Sequence, residues 1–278
     1  MVTLHINVNL SMFDKSVHPT AIMRIILSLC LLTLLNGIHS FAASRDFYQI
    51  KIYHLETQEQ QDLVENYLET AYLPALHRAN IQAVGVFKPV PAATVSEKLI
   101  YVFIPFSSFE AYLTLEETLK KDQAFLQAGK QYLQAPHDQL PYVRMESILL
   151  KAFEENPNFS LPALTGPKEK RVYELRSYEG PTENLYKNKV DMFNKGDEIG
   201  LFKRLGFNAV FYGEVLAGSK MPNLMYLTTF EDKQSRDAHW EAFGKDAYWK
   251  KLSAMPIYQN NVSHIDILFL YPTSYSDI

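Results

Sequence analysis

The sequence predicts an α+β protein built from two tandem βαββαβ units. Strand-like segments with alternating apolar residues and segments with helical spacing follow one another in the same order twice. The two halves also match at a nearly constant spacing, since residues 48–53 (Tyr-x-Ile-Lys-x-Tyr) lie 125 before residues 173–178 (Tyr-x-Leu-Arg-x-Tyr) and Ala83-Val84 lies 126 before Ala209-Val210. Leu99-Ile100-Tyr101 likewise lies 125 before Leu224-Met225-Tyr226. A repeat of this length indicates a duplicated domain rather than a solenoid.

Length and composition agree with two globular domains. The chain has 278 residues, of which 47% are hydrophobic and 21% charged. That length suits two domains of about 100–150 residues. The formal net charge is −4 and no dense run of lysine or arginine occurs, so the sequence predicts no nucleic-acid partner.

The N-terminal segment has the pattern of a secretory signal peptide. Met23-Arg24 precedes an apolar run over residues 25–35, and a small-x-small cleavage pattern ends at Ala42. The apolar run is far shorter than the roughly 20 residues that span a bilayer, so no transmembrane anchor is predicted. Residues 23–42 are therefore expected to be cleaved, leaving a periplasmic or secreted protein. Residues 1–22 would be a non-native upstream extension or, alternatively, a long start of the same signal.

The single cysteine, Cys30, lies inside this predicted signal. Cleavage would leave a mature chain without thiols, which excludes disulfides, cysteine nucleophiles and cysteine metal sites. Cys30 also has a weak lipoprotein-like context, but the preceding Leu29 is large for an acylation site.

The first unit is predicted to span residues 46–153. Its first strand covers residues 47–53, where Tyr48, Ile50 and Ile52 share one face. A helix over residues 59–79 follows, with a kink at Pro74. The remaining elements are strands over 82–87 and 99–104, a helix from Ser107 or Ser108 to Tyr132, and a strand over 142–150.

The second unit, residues 171–273, follows a linker at 154–170 that contains three prolines and one glycine. Its first helix is expected to begin after Thr182 as N-cap and to stop at Gly206. The predicted elements are strand 171–177, helix 182–205, strands 207–215 and 224–229, helix 232–253 and strand 262–271. This element order is that of a ferredoxin-like domain.

Four stretches of the second unit carry a family resemblance: residues 173–178, 206–207, 224–227 and 236–249. Together they resemble the NIPSNAP family, whose modules belong to the dimeric α/β-barrel superfamily. The resemblance implies that two ferredoxin-like sheets pack face to face. A tandem chain can supply both sheets as an internal barrel, which would make the protein a monomer with an internal pseudo-dimer. The alternatives are a different packing of the units or pairing with another molecule as a homodimer.

Strand alternation predicts which side chains would line the space between the sheets. In the strand at 171–177, Tyr173 and Leu175 form the apolar face, expected to lie under the helices. The opposite face would meet the other sheet as a pocket or, alternatively, as a structural ion pair. The candidate pocket-lining residues are Glu174, Arg176, Tyr178, Tyr212, Tyr226, His264 and Asp266. The first unit offers Gln49, Lys51, Tyr53, Arg144 and Glu146 at comparable places.

The helix over residues 236–249 is the most family-like stretch. Its candidate residues are Arg236, His239, Trp240, Asp246 and Trp249. We expect both tryptophans to pack against the sheet or the partner domain, and Arg236 to pair with Asp232 or Asp246 or to anchor a loop. His239 is the one group there that could act as a base. The other histidines at positions 54, 77 and 137 are predicted to face solvent.

No motif in the sequence assigns a reaction. Glycine-rich phosphate loops, hydrolase elbows and paired metal-binding histidines are all missing, so no cofactor and no metal are predicted, and catalytic residues are left unassigned. The favoured hypothesis is a module that binds a small molecule or a protein partner. The resemblance implies as an alternative a cofactor-independent monooxygenase-like or haem-degrading-like enzyme. A third hypothesis is a structural or assembly role.

Overall fold

The computed structural model describes residues 44–90 and 98–278, which form one compact unit. The predicted signal peptide and upstream extension lie outside the described residues. The strands are β1 (Phe47–Leu55), β2 (Gly85–Pro89), β3 (Lys98–Phe106), β4 (Arg144–Ala152), β5 (Val172–Glu179), β6 (Asn208–Ala217), β7 (Asn223–Phe230) and β8 (His264–Pro272). The helices are α1 (Gln58–Tyr67), α2 (Leu73–Arg78), α3 (Phe109–Leu119), α4 (Gln123–Ala128), α5 (Lys130–Leu133), α6 (Glu183–Asn194), α7 (Glu198–Arg204), α8 (Lys233–Lys245) and α9 (Ala247–Ser253).

The eight strands close into one antiparallel barrel in the order β1-β3-β2-β8-β5-β7-β6-β4. Each half contributes a ferredoxin-like sheet, β4-β1-β3-β2 and β8-β5-β7-β6. The pairs β2–β8 and β4–β6 join the two sheets, so the edges of both sheets are hydrogen-bonded within the chain. The predicted fold class, two ferredoxin-like units forming an internal α/β barrel, is confirmed.

Apolar side chains fill the barrel and two further layers between strands and helices. Tyr48, Ile50 and Ile52 point inward from β1, and Tyr173 and Leu175 point inward from β5. The outer faces of the two sheets pack against the helices of their own half. Both faces of a barrel strand are therefore buried, and β5 has six consecutive buried residues.

The predicted orientation of β5 is wrong. Glu174, Arg176 and Tyr178 lie on the outer face beneath the helices, whereas Tyr173 and Leu175 enter the barrel core. The physical reason is that the barrel interior is close-packed and takes the more apolar face, while α8 supplies polar partners to the outer face.

The same correction applies to β1 but not to the last strand of either half. Lys51 and Tyr53 lie on the helix side of β1, together with Gln49. Arg144 and Glu146 at the start of β4, like His264 and Asp266 at the start of β8, lie on the barrel side, as the alternation predicts.

Strand register also corrects the alignment of the two halves. Tyr53 pairs with Ile100 in the first half, and Tyr178 pairs with Leu224 in the second. Leu224 is therefore equivalent to Ile100, not to Leu99 as the nearly constant spacing predicts. This slip of one residue between β3 and β7 matters because it exchanges the two faces of the strand.

Several long predicted helices are interrupted. A π-helical turn at Leu68–Tyr72 separates α1 from α2, at the place where Pro74 removes a backbone donor. Asp197, with a φ of 55°, separates α6 from α7, and extended backbone at Asp246 separates α8 from α9. Gly206 ends α7 with a φ of 77°, as predicted. Within the described ranges, no helix is long and apolar enough to span a membrane.

Candidate ligand site at the barrel mouth

Aromatic side chains fill the barrel through its centre. Phe103 stacks on Phe211 with ring centroids 5.0 Å apart, and Tyr48 packs on Phe211 at 5.1 Å. Phe159 from the linker and Ile278 at the C-terminus join this core. Their packing makes this part of the barrel solid.

At the end of the barrel where strands β1 and β5 finish, the barrel opens into a cavity of about 350 Å³. This volume lies within the range of about 300–1,000 Å³ that is usual for ligand sites. Its apolar walls are Ile52, Ile148, Leu175, Met225 and Leu268. Its polar groups come from His54, Tyr101, Glu146, Ser177, Ser219, Lys220, Asn223 and Asp266. The cavity therefore combines an apolar interior with a polar entrance.

One side of the entrance is formed by His54 and two residues of β4. His54 is only 8% exposed, and its Nε2 lies 2.7 Å from Oε1 of Glu146. The Arg144 guanidinium donates to the same carboxylate oxygen at 3.1 Å. The prediction that His54 faces solvent is wrong. The alternation of Tyr48, Ile50 and Ile52, extended by one more step, would have placed His54 on the same buried face as these residues.

The opposite side of the entrance is formed by Asp266 and its neighbours. Lys220 Nζ donates to Asp266 at 2.5 Å, and His264 Nε2 lies 3.0 Å from the same carboxylate. The hydrogen bond from Lys220 and that from His264 hold the pKa of Asp266 below its usual value. The possible ligand atoms of Glu179, His264 and Asp266 lie within 4.8 Å of one another. Because Lys220 already neutralises Asp266, these residues are better described as an ion-pair cluster than as a metal centre.

The two sides occupy equivalent positions of the duplicated sheets. Glu146 pairs across from Ile52, and Asp266 pairs across from Ser177, which is the equivalent of Ile52 in β5. Each half therefore brings one carboxylate to the cavity from its last strand. Ser177 and Asn223 join the second half's contribution through a 2.8 Å hydrogen bond between Asn223 Nδ2 and Ser177 Oγ.

The remaining predicted site residues gather elsewhere, between β5 and α8. Glu174 is fully buried and accepts hydrogen bonds from Arg176 Nε, from Arg236 Nε and Nη2, and from Trp240 Nε1, at 2.7–2.8 Å. The Arg176 guanidinium lies 3.6 Å from the centre of the Trp240 ring. This Glu174 network fastens a helix to the sheet and does not line the cavity.

Two tyrosines extend the network. The Tyr178 hydroxyl accepts from Arg176 Nη1 at 3.1 Å and lies 2.8 Å from the Tyr226 hydroxyl. Tyr212 stacks on Tyr226 with ring centroids 5.7 Å apart in the same buried layer. Burial would raise the pKa of Glu174, but the hydrogen bonds from Arg236 and the charge of Arg176 outweigh it and lower that pKa.

The other residues of the family-like helix also make structural contacts. Trp249 packs on Phe243 with centroids 4.4 Å apart, and His239 Nδ1 bonds to the carbonyl of Ser235 at 2.7 Å. Asp246 caps α9, and the hydrogen bond from Arg204 lowers its pKa to about 2. Arg236 pairs with Glu174 rather than with Asp232 or Asp246, which corrects the prediction.

Comparison with known proteins finds a family match for the second half and solved structures with a similar fold. Residues 173–277 match the family model described as NIPSNAP. No curated protein sequence matches the chain. A structure named "putative monooxygenase" from Fusobacterium nucleatum superposes with a TM-score of 0.56 at 10% identity, covering 83% of this chain and 93% of that one. One of the same name from Lactobacillus acidophilus gives a TM-score of 0.51 at 10% identity, covering 82% and 94%.

At 10% identity these structures show the fold alone. They agree with the barrel that the strand order defines in this chain. Residues 173–277 are thus similar to the NIPSNAP family, and they lie within the closed eight-stranded barrel that this single chain forms.

Proposed function

We propose that the protein is a binding module that holds a small organic molecule in the cavity at the barrel mouth. The observation that carries the proposal is a cavity of about 350 Å³ with apolar walls and a polar entrance, next to a barrel centre filled by aromatic side chains. Pockets that combine a mainly apolar lining with a few convergent polar groups are the usual form of small-molecule sites.

The charges at the entrance indicate the kind of ligand. Glu146 is matched by Arg144, and Asp266 is matched by Lys220. Because these charges are already neutralised, the site favours an uncharged ligand. An aromatic or aliphatic body would contact Leu175 and the other apolar walls, and a hydroxyl or carbonyl group would bond to the polar groups at the entrance.

A second function, an enzyme, is favoured by one observation. The buried imidazole of His54 lies 2.7 Å from the Glu146 carboxylate beside the cavity. A carboxylate that orients a histidine is a common arrangement for a general base. Such a pair could remove a proton from a bound phenol, although the similarity to proteins named monooxygenases is only one of fold.

Native mass spectrometry of the mature chain from its source tests the binding function. We expect bound mass on the native protein, and its loss in Leu268→Trp, because the indole would fill the cavity. Ile265→Trp is the matched control, since Ile265 lies on the outer face of the same strand and is 45% exposed. Native protein without bound mass, or equal bound mass in both variants, would contradict the proposal.

The same material tests two further points. If His54 is a base, His54→Asn would retain the ligand but lose its conversion. We also propose that the protein acts in the periplasm or outside the cell after cleavage near Ala42, and N-terminal sequencing of the mature chain tests this.

A further inference from the structure

A second cavity lies in the first half, between β1 and the helices that cover it. Its volume is about 690 Å³, and it belongs to the layer outside the barrel, away from the mouth. The walls are mostly aromatic and aliphatic: Tyr67, Tyr72, Leu115, Leu119, Phe125 and Leu133. Two lysines line it, Lys51 of β1 and Lys120 of the covering helix. Lys120 is paired with Glu116 at 3.0 Å and with Glu117 at 2.9 Å, so Lys51 contributes the unpaired positive charge of this lining.

In the part of the chain that the structure describes, Lys51 has no counter-ion. Its Nζ lies 4.8 Å from the centre of the Tyr72 ring and 5.7 Å from that of Tyr53. Within residues 44–90 and 98–278, no carboxylate lies within 4.0 Å of this ammonium. Burial lowers the pKa of Lys51 to about 8, which leaves the ammonium mostly protonated at neutral pH. A charge held among tyrosine rings without an anion is a costly arrangement unless a ligand completes it.

In the second half, the residue equivalent to Lys51 has a counter-ion. Lys51 pairs across from Val102, and Arg176 pairs across from Tyr226, its equivalent. The cation in the second half is therefore Arg176, and the buried Glu174 carboxylate neutralises it at 2.6 Å. In the first half, the residue at the Glu174 position is the neutral Gln49, whose amide donates to Ser147 at 2.8 Å.

The helix that covers the sheet also differs between the two halves, α3 in the first and α8 in the second. Counted from the N-caps Ser108 and Asp232, Tyr112 stands at the position of Arg236 and Glu116 at that of Trp240. Glu116 does not replace the indole, because its side chain is 79% exposed and pairs with Lys120 at the surface. The carboxylate and the indole of the second half are both missing here, and the cavity takes their place.

We propose that this cavity binds an amphipathic monocarboxylate, whose carboxylate pairs with the Lys51 ammonium and whose apolar body lies among the tyrosine and leucine side chains. The ligand would supply the anion that Glu174 supplies in the second half and the apolar bulk that Trp240 supplies. Because Lys120 is already paired with Glu116, the cavity offers one available cation among mostly apolar walls. This suits one carboxylate better than a phosphate, which usually takes several donors. Fatty acids and arylalkanoic acids share this chemistry.

Titration calorimetry with decanoate and with decanol tests the proposal on the full chain. We expect decanoate to bind more tightly than decanol, and Lys51→Met to weaken decanoate by about 10- to 100-fold while decanol is unchanged. Gln49→Glu, which restores the internal anion, should weaken decanoate to a similar extent. Lys130→Met removes an exposed lysine outside the cavity and should change nothing.

Circular dichroism of each variant checks that it is folded. If Lys51→Met does not fold, Gln49→Glu still tests the proposal. Absence of decanoate binding to the native chain would overturn the proposal, as would equal affinity in the native chain and Lys51→Met. Leu268→Trp at the barrel mouth should leave decanoate affinity unchanged. A loss there would place decanoate at the mouth and would also overturn the proposal, whereas failure of the mouth site alone leaves it standing.

Discussion

Replacing Glu174 by glutamine should destabilise the protein more than any exposed charge substitution. The side chain is 0% exposed and is the common acceptor for Arg176, Arg236 and Trp240. Glutamine keeps the shape but removes the negative charge, and its amide group presents donors to two guanidinium groups that can only donate. Arg176, 11% exposed, would then lie without a counter-ion, and Arg236, 15% exposed, would keep only the half-exposed Asp237.

The expected cost follows from this burial. Breaking a buried ion pair by removing one partner costs about 3–5 kcal/mol of unfolding free energy. For a unit of this size, that loss would lower the melting temperature by about 6–20 °C. Because the pKa of Glu174 is lowered in the folded state, its contribution is fully present above the unfolded pKa of about 4.5 and is lost as the pH falls through the lower folded value.

Urea unfolding followed by tryptophan fluorescence measures the effect directly. Both tryptophans of the chain lie in the second half, and Trp240 belongs to the Glu174 network. Glu241→Gln on the same helix is the matched control, since Glu241 is 65% exposed, and it should leave stability unchanged. If Glu174→Gln loses less than about 1 kcal/mol, the view that this carboxylate holds α8 on the sheet is refuted.

Three further predictions concern the second half and can be measured by the same unfolding assay. Lys189→Met should cost about 3–5 kcal/mol, because it leaves the Glu198 carboxylate, 3% exposed, without its 2.8 Å partner; a neutral result would show that water reaches the pair. Tyr178→Phe should cost about 1–2 kcal/mol through loss of the 2.8 Å bond to Tyr226, and an increase in stability would contradict that bond. Gly206→Ala should cost about 1 kcal/mol because the φ of 77° disfavours a Cβ, so a stabilised variant would argue against this helix end.

The sequence was sufficient for the element order and for the duplication, because periodicity and repeated residue patterns do not depend on how the chain packs. It was also sufficient for helix ends that depend on one residue: Thr182 and Ser108 cap their helices, and Gly206 ends α7. It did not indicate the breaks at Asp197 and Asp246, which interrupt segments of continuous helical spacing.

The orientation of β5 could not be predicted for a different reason. Alternation shows that Glu174 and Arg176 share a face, but it does not show which layer covers that face. In a barrel wrapped by helices, both faces of a strand are buried, so burial of an ionisable pair is compatible with either side. The orientation of β5 depends on Arg236 and Trp240, which are distant in sequence and contact Glu174 only in the folded protein.

The cavities could not be predicted from the sequence either, because a cavity depends on how side chains from several elements pack together. His54 is a partial exception, since the alternation of β1 puts it on the same face as Tyr48, Ile50 and Ile52, although it does not show that this face lines the barrel. The cavity at the mouth and the cavity beside Lys51 both required the packed structure.

The pairing of β2 with β8 and of β4 with β6 within one chain removes a constraint that binds two-chain barrels. When identical subunits form a barrel, every substitution is installed twice, once on each side of the symmetry axis. Here a change in one half leaves the other as it was, which is how Arg144 and His264, or Gln49 and Glu174, come to differ at equivalent positions. Because the two halves are one chain, the second half can carry the buried Glu174 network at the position where the first half has the cavity beside Lys51.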